Sequence, residues 1–205
     1  MRFTLNRPAL ETFKKTGQFL VESFFDSAKL AKINRLIDEK ISSFEFKEKV
    51  MLEGHNLVIE NESIQKALNL FTLAVLSYEF TTIKPIRLAY DQFIFGGMST
   101  FDEERKSLFL DSEQPFSDRL SVSMAAIVVL INLKSGDLLF LKPSEPMPKV
   151  NLGDRYLYLV FTQGSSLYQP CKADPVESFL KKRGYAYGDK LKDSYHPLLL
   201  LGFNR

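Results

Sequence analysis

Apolar positions recur every three to four residues through the first third of the chain, then switch to a shorter period. Leu10 and Phe13 mark one face of a segment that opens at Asn6, carries Pro8 near its start and stops at Gly17. Asn caps helix starts, Pro fits the first turn and Gly ends helices in left-handed backbone, so the pattern predicts a short helix. Phe19-Leu20-Val21 follows as a short strand. Asp26 caps a second predicted helix with Leu30, Ile33, Ile37 and Ile41 on one face. Asn61 or Ser63 opens a third, with Ile64, Ala67, Leu68, Phe71 and Val75 facing inward.

From Pro85 onward the pattern reads as strands. Residues 86–95 end at a Gly96-Gly97 turn, and 107–110 form a short strand. Residues 122–133 are rich in β-branched side chains and bounded by Ser135-Gly136, which predicts a buried strand. Strands at 137–141, stopped by Pro143, and at 156–161 follow. A last helix is signalled by Asp174 as N-cap, Pro175 at its first position, Glu177 in capping-box spacing and Gly184 at its end. Helices first and strands later predict an α+β domain, with helices packed on one face of a β-sandwich or barrel. No linker or repeat interrupts the chain. The expectation is one domain over 1–205: a mainly helical 1–84, core barrel strands in 85–170, and a C-terminal helix and tail in 171–205.

Composition narrows the function classes. The 18 Phe and 8 Tyr, with no Trp, favour a thick, strand-rich core. A net charge of +2 is too small for a general nucleic-acid or membrane field. With one cysteine, Cys171, no internal disulfide forms and a reducing, cytoplasmic setting is expected. The first six residues carry no apolar signal core. The longest apolar run, 124–133, is far short of the roughly 20 residues a membrane helix needs, so no membrane insertion is expected. No phosphate-binding Gly-rich loop, Gly-x-Ser-x-Gly elbow or paired-cysteine motif is present, which argues against common NTPase, Rossmann and α/β-hydrolase chemistry.

The order of elements resembles one family. Residues 10–21, a short helix, a Gly and a strand, resemble the opening of phytanoyl-CoA dioxygenase-like proteins, and the Phe24-Phe25-Asp26 turn continues the match. Residues 120–130, Gly136-Asp137-Leu138-Leu139-Phe140, and 151–161 with Arg155 ahead of an apolar strand resemble later strands of that family. The resemblance implies a double-stranded β-helix: a jelly-roll, cupin-like barrel with N-terminal helices on one face. It also implies a His-x-Asp and a distal His around Fe(II), with an Arg pairing the far carboxylate of 2-oxoglutarate. On this chain the His-x-Asp position falls on Phe109-Leu110-Asp111, and the distal His near Ser144 or Glu145. Asp111 is the one surviving metal-ligand candidate. Arg155 stands where the co-substrate Arg would be, and both histidines are missing.

Each candidate has a plainer reading. Asp111 is a surviving ligand or a solvated loop residue beside Ser112 and Glu113. Arg155 binds a small carboxylate or simply begins a strand in solvent. His55 and His196, the only histidines, lack partners at ligand spacing and read as structural or exposed. Cys171 reads as an inert thiol, and Asp102-Glu103-Glu104 as a solvated loop rather than a hard-cation site. The basic, aromatic run Lys181-Lys182-Arg183-Gly184-Tyr185-Ala186-Tyr187-Gly188-Asp189-Lys190 reads as a charged helix end with Tyr185 and Tyr187 packed on the barrel, ahead of a nucleic-acid contact. The leading expectation is a catalytically degenerate dioxygenase-like protein, a binding or regulatory module for a small carboxylate or a protein. No cofactor is expected, or Fe(II) and 2-oxoglutarate if the site functions. Two alternatives remain open. One is an active metalloenzyme using Asp111, Glu145 and a relocated His196; the other is a nucleic-acid-associated protein using the basic C-terminal segment.

Overall fold

The computed structural model describes residues 5–42, 54–95, 115–146 and 154–201. Helix α1 (Arg7–Thr16) opens where the sequence predicts: the Asn6 side chain accepts from Ala9 N at 2.9 Å. Gly17 closes it at φ 76°, its N–H on the Phe13 carbonyl, and turns the chain into β1 (Gln18–Val21). Helix α2 (Ser27–Ser42) is capped by Asp26, whose Oδ1 accepts from Lys29 N at 2.8 Å, and buries Leu30, Ile33 and Ile37.

The third predicted helix is two helices. Helix α3 (Glu62–Leu68) starts at Asn61, whose Oδ1 accepts from Ile64 N at 3.1 Å. Asn69 then adopts left-handed backbone at φ 54°, and α4 (Leu70–Thr81) restarts after it. The break resets the helical phase. Leu70, Leu73, Ala74 and Phe80 turn inward, while Phe71 is 57% exposed, so its expected inward position is corrected. Val75 is half-buried.

The strands β2 (Ile86–Phe95), β3 (Ala125–Asn132), β4 (Leu138–Leu141), β5 (Arg155–Gln163) and β6 (Leu198–Leu200) join β1 in one antiparallel sheet, ordered β1-β4-β3-β5-β2-β6. The strand expected over 107–110 lies outside the described residues. β3 is shorter than expected because Met124 sits at φ 54°, outside strand geometry. Val122 instead pairs with Tyr168, and Leu167 with Lys190, as isolated bridges off the main sheet.

Strand alternation gives the sheet two buried faces of different character. One face, with Phe93, Ile127, Val129, Phe140, Leu157 and Phe161, packs on the four helices and is almost wholly aliphatic and phenyl. The opposite face carries Tyr90, Val128, Leu130, Tyr158 and Val160. It is covered by a 3-10 turn (Phe116–Arg119), the bridged segments and α5 (Glu177–Lys182). Asp174 meets the expected cap in part: its Oδ1 accepts from Val176 N at 2.9 Å, while α5 proper begins at Glu177. Val176 occupies the cap position with no side-chain bond, and Asp174 is drawn into the core at 4% exposure. The result is a mixed α and β protein on a six-stranded antiparallel sheet, consistent with a cupin-like fold. No helix among the described residues is long and apolar enough to cross a membrane.

Candidate functional site

The second face holds most of the buried polar chemistry. His55 bridges to Gln92, Gln92 registers with Tyr158, and Tyr158 with Leu130, so these side chains form one row across the same face. His55, Gln92 and Tyr158 are each at most 1% exposed. Gly54 (φ 80°) and Asn56 (φ 61°) bracket His55 with left-handed backbone. The pairing is anchored by Phe93 N on the Gly54 carbonyl at 2.8 Å. Among the described residues, neither ring nitrogen of His55 meets a partner at full hydrogen-bond geometry. Burial, opposed only by the nearby Asp91 backbone, pulls its pKa down to about 3.

A second polar group lies lower on β2. The Tyr90 hydroxyl donates to Asp174 Oδ2 at 2.7 Å, and Ser121 N donates to the same oxygen at 2.7 Å. Asp174 Oδ1 takes Val176 N at 2.9 Å. Burial pushes the Asp174 carboxyl up against the pull of these donors, and pushes the Tyr90 phenol up more strongly. His196 packs beside them, with ring centroids 6.5 Å from Tyr90 and 5.7 Å from Tyr185. Its Nδ1 is 2.9 Å from the Ala89 carbonyl, an acceptor, so Nδ1 carries the proton and Nε2 is the bare nitrogen. Burial lowers this histidine to about 4. Both histidines are therefore enclosed, and burial favours their neutral forms.

Arg155, the expected carboxylate binder, opens β5. Its guanidinium forms a fork on Asp38 of α2, at 2.6 and 3.2 Å, and lies 5.1 Å over the Phe93 ring. By alternation it shares the face of Leu157 and Leu159, the helix-covered side, away from Tyr90 and Tyr158. A cleft of about 250 Å³ lies there, lined by Asp38, Ile41, Ser42, Phe93 and Arg155. Asp111 and the acidic run at 102–104 lie outside the described residues. Among the described residues no group of three His, Cys, Asp or Glu side chains could hold a metal ion.

Glu145 is half-buried, with its carboxyl against Gly17 beside β1. His196 precedes β6 and bonds β2. Glu145 and His196 thus sit toward opposite edges of the sheet. Three strand spacings separate β4 from β2, on the order of 14 Å at about 4.8 Å each, far beyond joint ligation of one ion. Cys171 is half-buried, and its thiol donates to the Asp118 carbonyl at 3.3 Å. In the basic segment Lys181 pairs with Glu177 at 3.0 Å, and Arg183 stacks 4.8 Å over both Phe179 and Tyr195. Tyr185 is buried as expected, but Tyr187 is 77% exposed, outward after the Gly184 turn rather than packed on the sheet. The Tyr90, Ser121 and Asp174 group was not anticipated. Its members are up to 84 residues apart, and Asp174 had a sufficient local reading as a cap.

No protein-family model and no curated protein sequence matches the chain. Solved structures do. The fold is that of non-heme, alpha ketoglutarate dependent enzymes. The carbocyclase SnoK from nogalamycin biosynthesis superposes with TM-score 0.68 and 11% identity, over 96% of this chain and 97% of that chain. The epimerase SnoN from the same biosynthesis gives 0.66 and 12%, over 94% and 97%. CT296 from Chlamydia trachomatis gives 0.53 and 18%, over 79% and 97%. At these identities the likeness is one of fold.

Proposed function

We propose that the chain is a 2-oxoglutarate-oxygenase-like protein, built on a double-stranded β-helix, that lacks the iron-binding histidines and serves as a binding or regulatory module. The observation that carries this reading is the fate of its only two histidines. A facial triad needs two imidazoles and a carboxylate converging on one point. Here His196 is held at Ala89 and His55 at Gln92 further along β2, neither belongs to a group of three metal-ligating side chains among the described residues, and Phe109 stands at the His-x-Asp position. The residues present do not fit the iron centre, and no chemical step is derived through it. The carboxylate partner expected for Arg155 has a counterpart within the chain, Asp38, so a small-molecule carboxylate at this position has to displace it.

Two measurements test the proposal. Purified protein supplied with Fe(II), oxygen and 2-oxoglutarate should release no succinate above the protein-free rate; iron-dependent succinate release sinks it. Anaerobic thermal unfolding with Mn(II) and 2-oxoglutarate, separately and together, reads binding. A ligand at about 100 times its dissociation constant adds roughly 2.7 kcal/mol, a rise of about 5–10 °C for a chain of this size. No joint shift is expected. A shift with 2-oxoglutarate alone that Arg155→Ala abolishes and Asp38→Asn enlarges would assign the carboxylate site to the Arg155 cleft.

A further inference from the structure

β6 covers the edge of β2 only at its start, where Leu200 and Leu198 pair with Ile86 and Arg87. Further along, the same edge is taken by residues 54–59. Phe93 N donates to the Gly54 carbonyl at 2.8 Å, Asn56 N donates to the Asp91 carbonyl at 3.3 Å, and His55 bridges Gln92. The approach is close: an added Cβ on Gly54 would stand 2.2 Å from the Phe93 carbonyl oxygen. A short segment held by a few edge bonds opens more readily than the strands beneath it.

Asp91 fastens this segment. Its side chain is on a residue only 1% exposed, and its two oxygens accept from Val58 N at 2.9 Å and Ile59 N at 3.0 Å. Gln65 of α3 donates to the carbonyls of the same two residues, at 2.9 and 3.0 Å. A buried carboxyl stays charged only if a cation or enough donors replace its water. Among the described residues no cation pairs with Asp91. β5 presents Leu159 opposite it. α3 presents neutral Gln65, and its charged Glu62 and Lys66 pair with each other in solvent. The segment itself adds Glu60, whose negative charge opposes a second one, and His55, whose neutral form burial favours.

We propose that residues 54–59 form a proton-controlled clasp on β2. With Asp91 protonated the segment lies closed; once the proton passes to solvent it opens more readily, uncovering the β2 edge at 91–93 and drawing His55 out of its row with Gln92 and Tyr158. Linkage sets the sign. The closed carboxyl holds its proton up to about pH 7, against 3.8 in water, so closure is favoured most below 3.8 and the advantage is lost as pH rises through about 7.

Hydrogen exchange of the Val58 and Ile59 amides tests the clasp, read by NMR on the full chain and corrected for the intrinsic rate at each pH. Their opening constant should rise roughly ten- to a hundredfold from about pH 5 to about pH 8. At each pH they should open more often than amides in 127–131, which report global unfolding. Asp91→Asn cannot ionise and should flatten the rise. Glu60→Gln removes the neighbouring charge and should shrink it. If Asp91→Asn does not fold, a carbon NMR titration of the wild-type Asp91 carboxyl decides, with a midpoint well above 3.8 expected. A flat wild-type profile, an unchanged rise in Asp91→Asn, opening no more frequent than in 127–131, or a carboxyl midpoint at or below 3.8 each overturns the proposal.

Discussion

Asp91 is enclosed on the helix-covered face, where its two carboxylate oxygens accept from Val58 N at 2.9 Å and Ile59 N at 3.0 Å. Burial outweighs these donors and pushes its pKa up to about 7. The fold therefore prefers the protonated form. Its contribution is full below the unfolded value of 3.8 and is lost as pH rises through about 7. The histidines have the opposite sign. Both are lowered from 6.5, so their contribution is full above that value and is lost as pH falls toward about 4 for His196 and about 3 for His55. Asp91→Asn should isolate the carboxyl's part. Urea unfolding at about pH 5 and about pH 8 should show the variant gaining on wild type at the higher pH, by on the order of 1 kcal/mol or more. Parallel pH curves would contradict the assignment. The Asp174 group makes a second residue-level prediction. Tyr90→Phe removes the bond to Asp174 and the one accepted from Ser121 N, which Asp174 also takes, and should cost about 1–2 kcal/mol, whereas Asp174→Ala strands the Tyr90, Ser121 and Val176 donors and should cost on the order of 3 kcal/mol or more. Asp38→Asn breaks an ion pair whose carboxylate is 58% exposed, and should cost less than about 1 kcal/mol by the same unfolding measurement.

Turns rather than helix faces separate the elements that were legible in sequence from those that were not. α1 and α2 follow their caps, because Asn6 and Asp26 bond the backbone locally and no distant contact competes. The break at Asn69 was hidden because the apolar pattern continues through it; only backbone conformation marks the new phase. Asn tolerates left-handed backbone better than most residues, so Asn69→Gly should be nearly neutral and Asn69→Val should cost about 1–2 kcal/mol. Only the local half of Asp174's role was legible, its bond from Val176 N, because its non-local partners, Tyr90 and Ser121, leave no trace in local spacing. Two glycines test how far tertiary contact adds to turn geometry. Both have left-handed φ, 82° at Gly136 and 84° at Gly188. An added Cβ at Gly136 would sit 2.2 Å from the Phe25 carbonyl oxygen, whereas at Gly188 it would meet nothing within 4 Å. Gly188→Ala should therefore cost about 1–2 kcal/mol from backbone strain alone. Gly136→Ala should cost clearly more in chemical denaturation, and equal losses would refute the contact argument.

Among the described residues the molecule is one sheet with two unlike cores, and this division was only half visible in advance. Alternation identified the buried strands, and the helical stripes identified what covers one face. The polar row of His55, Gln92 and Tyr158 needs the register of strands far apart in sequence, and no local pattern carries a register. Arg155 shows the same limit: its position at a strand start was legible, but the face it occupies depends on β5 pairing with both β2 and β3. The sheet order also sets where the molecule opens first. β3 and β5 are bonded on both sides and buried on both faces, so amides in 127–131 and 157–161 should exchange only through global unfolding. β1 and β6 are edge strands and should exchange faster in dilute solution. Hydrogen exchange read by NMR should therefore rank 127–131 and 157–161 slowest and 18–21 and 198–201 fastest among the strands. Edge amides protected as strongly as the central ones would contradict the strand order.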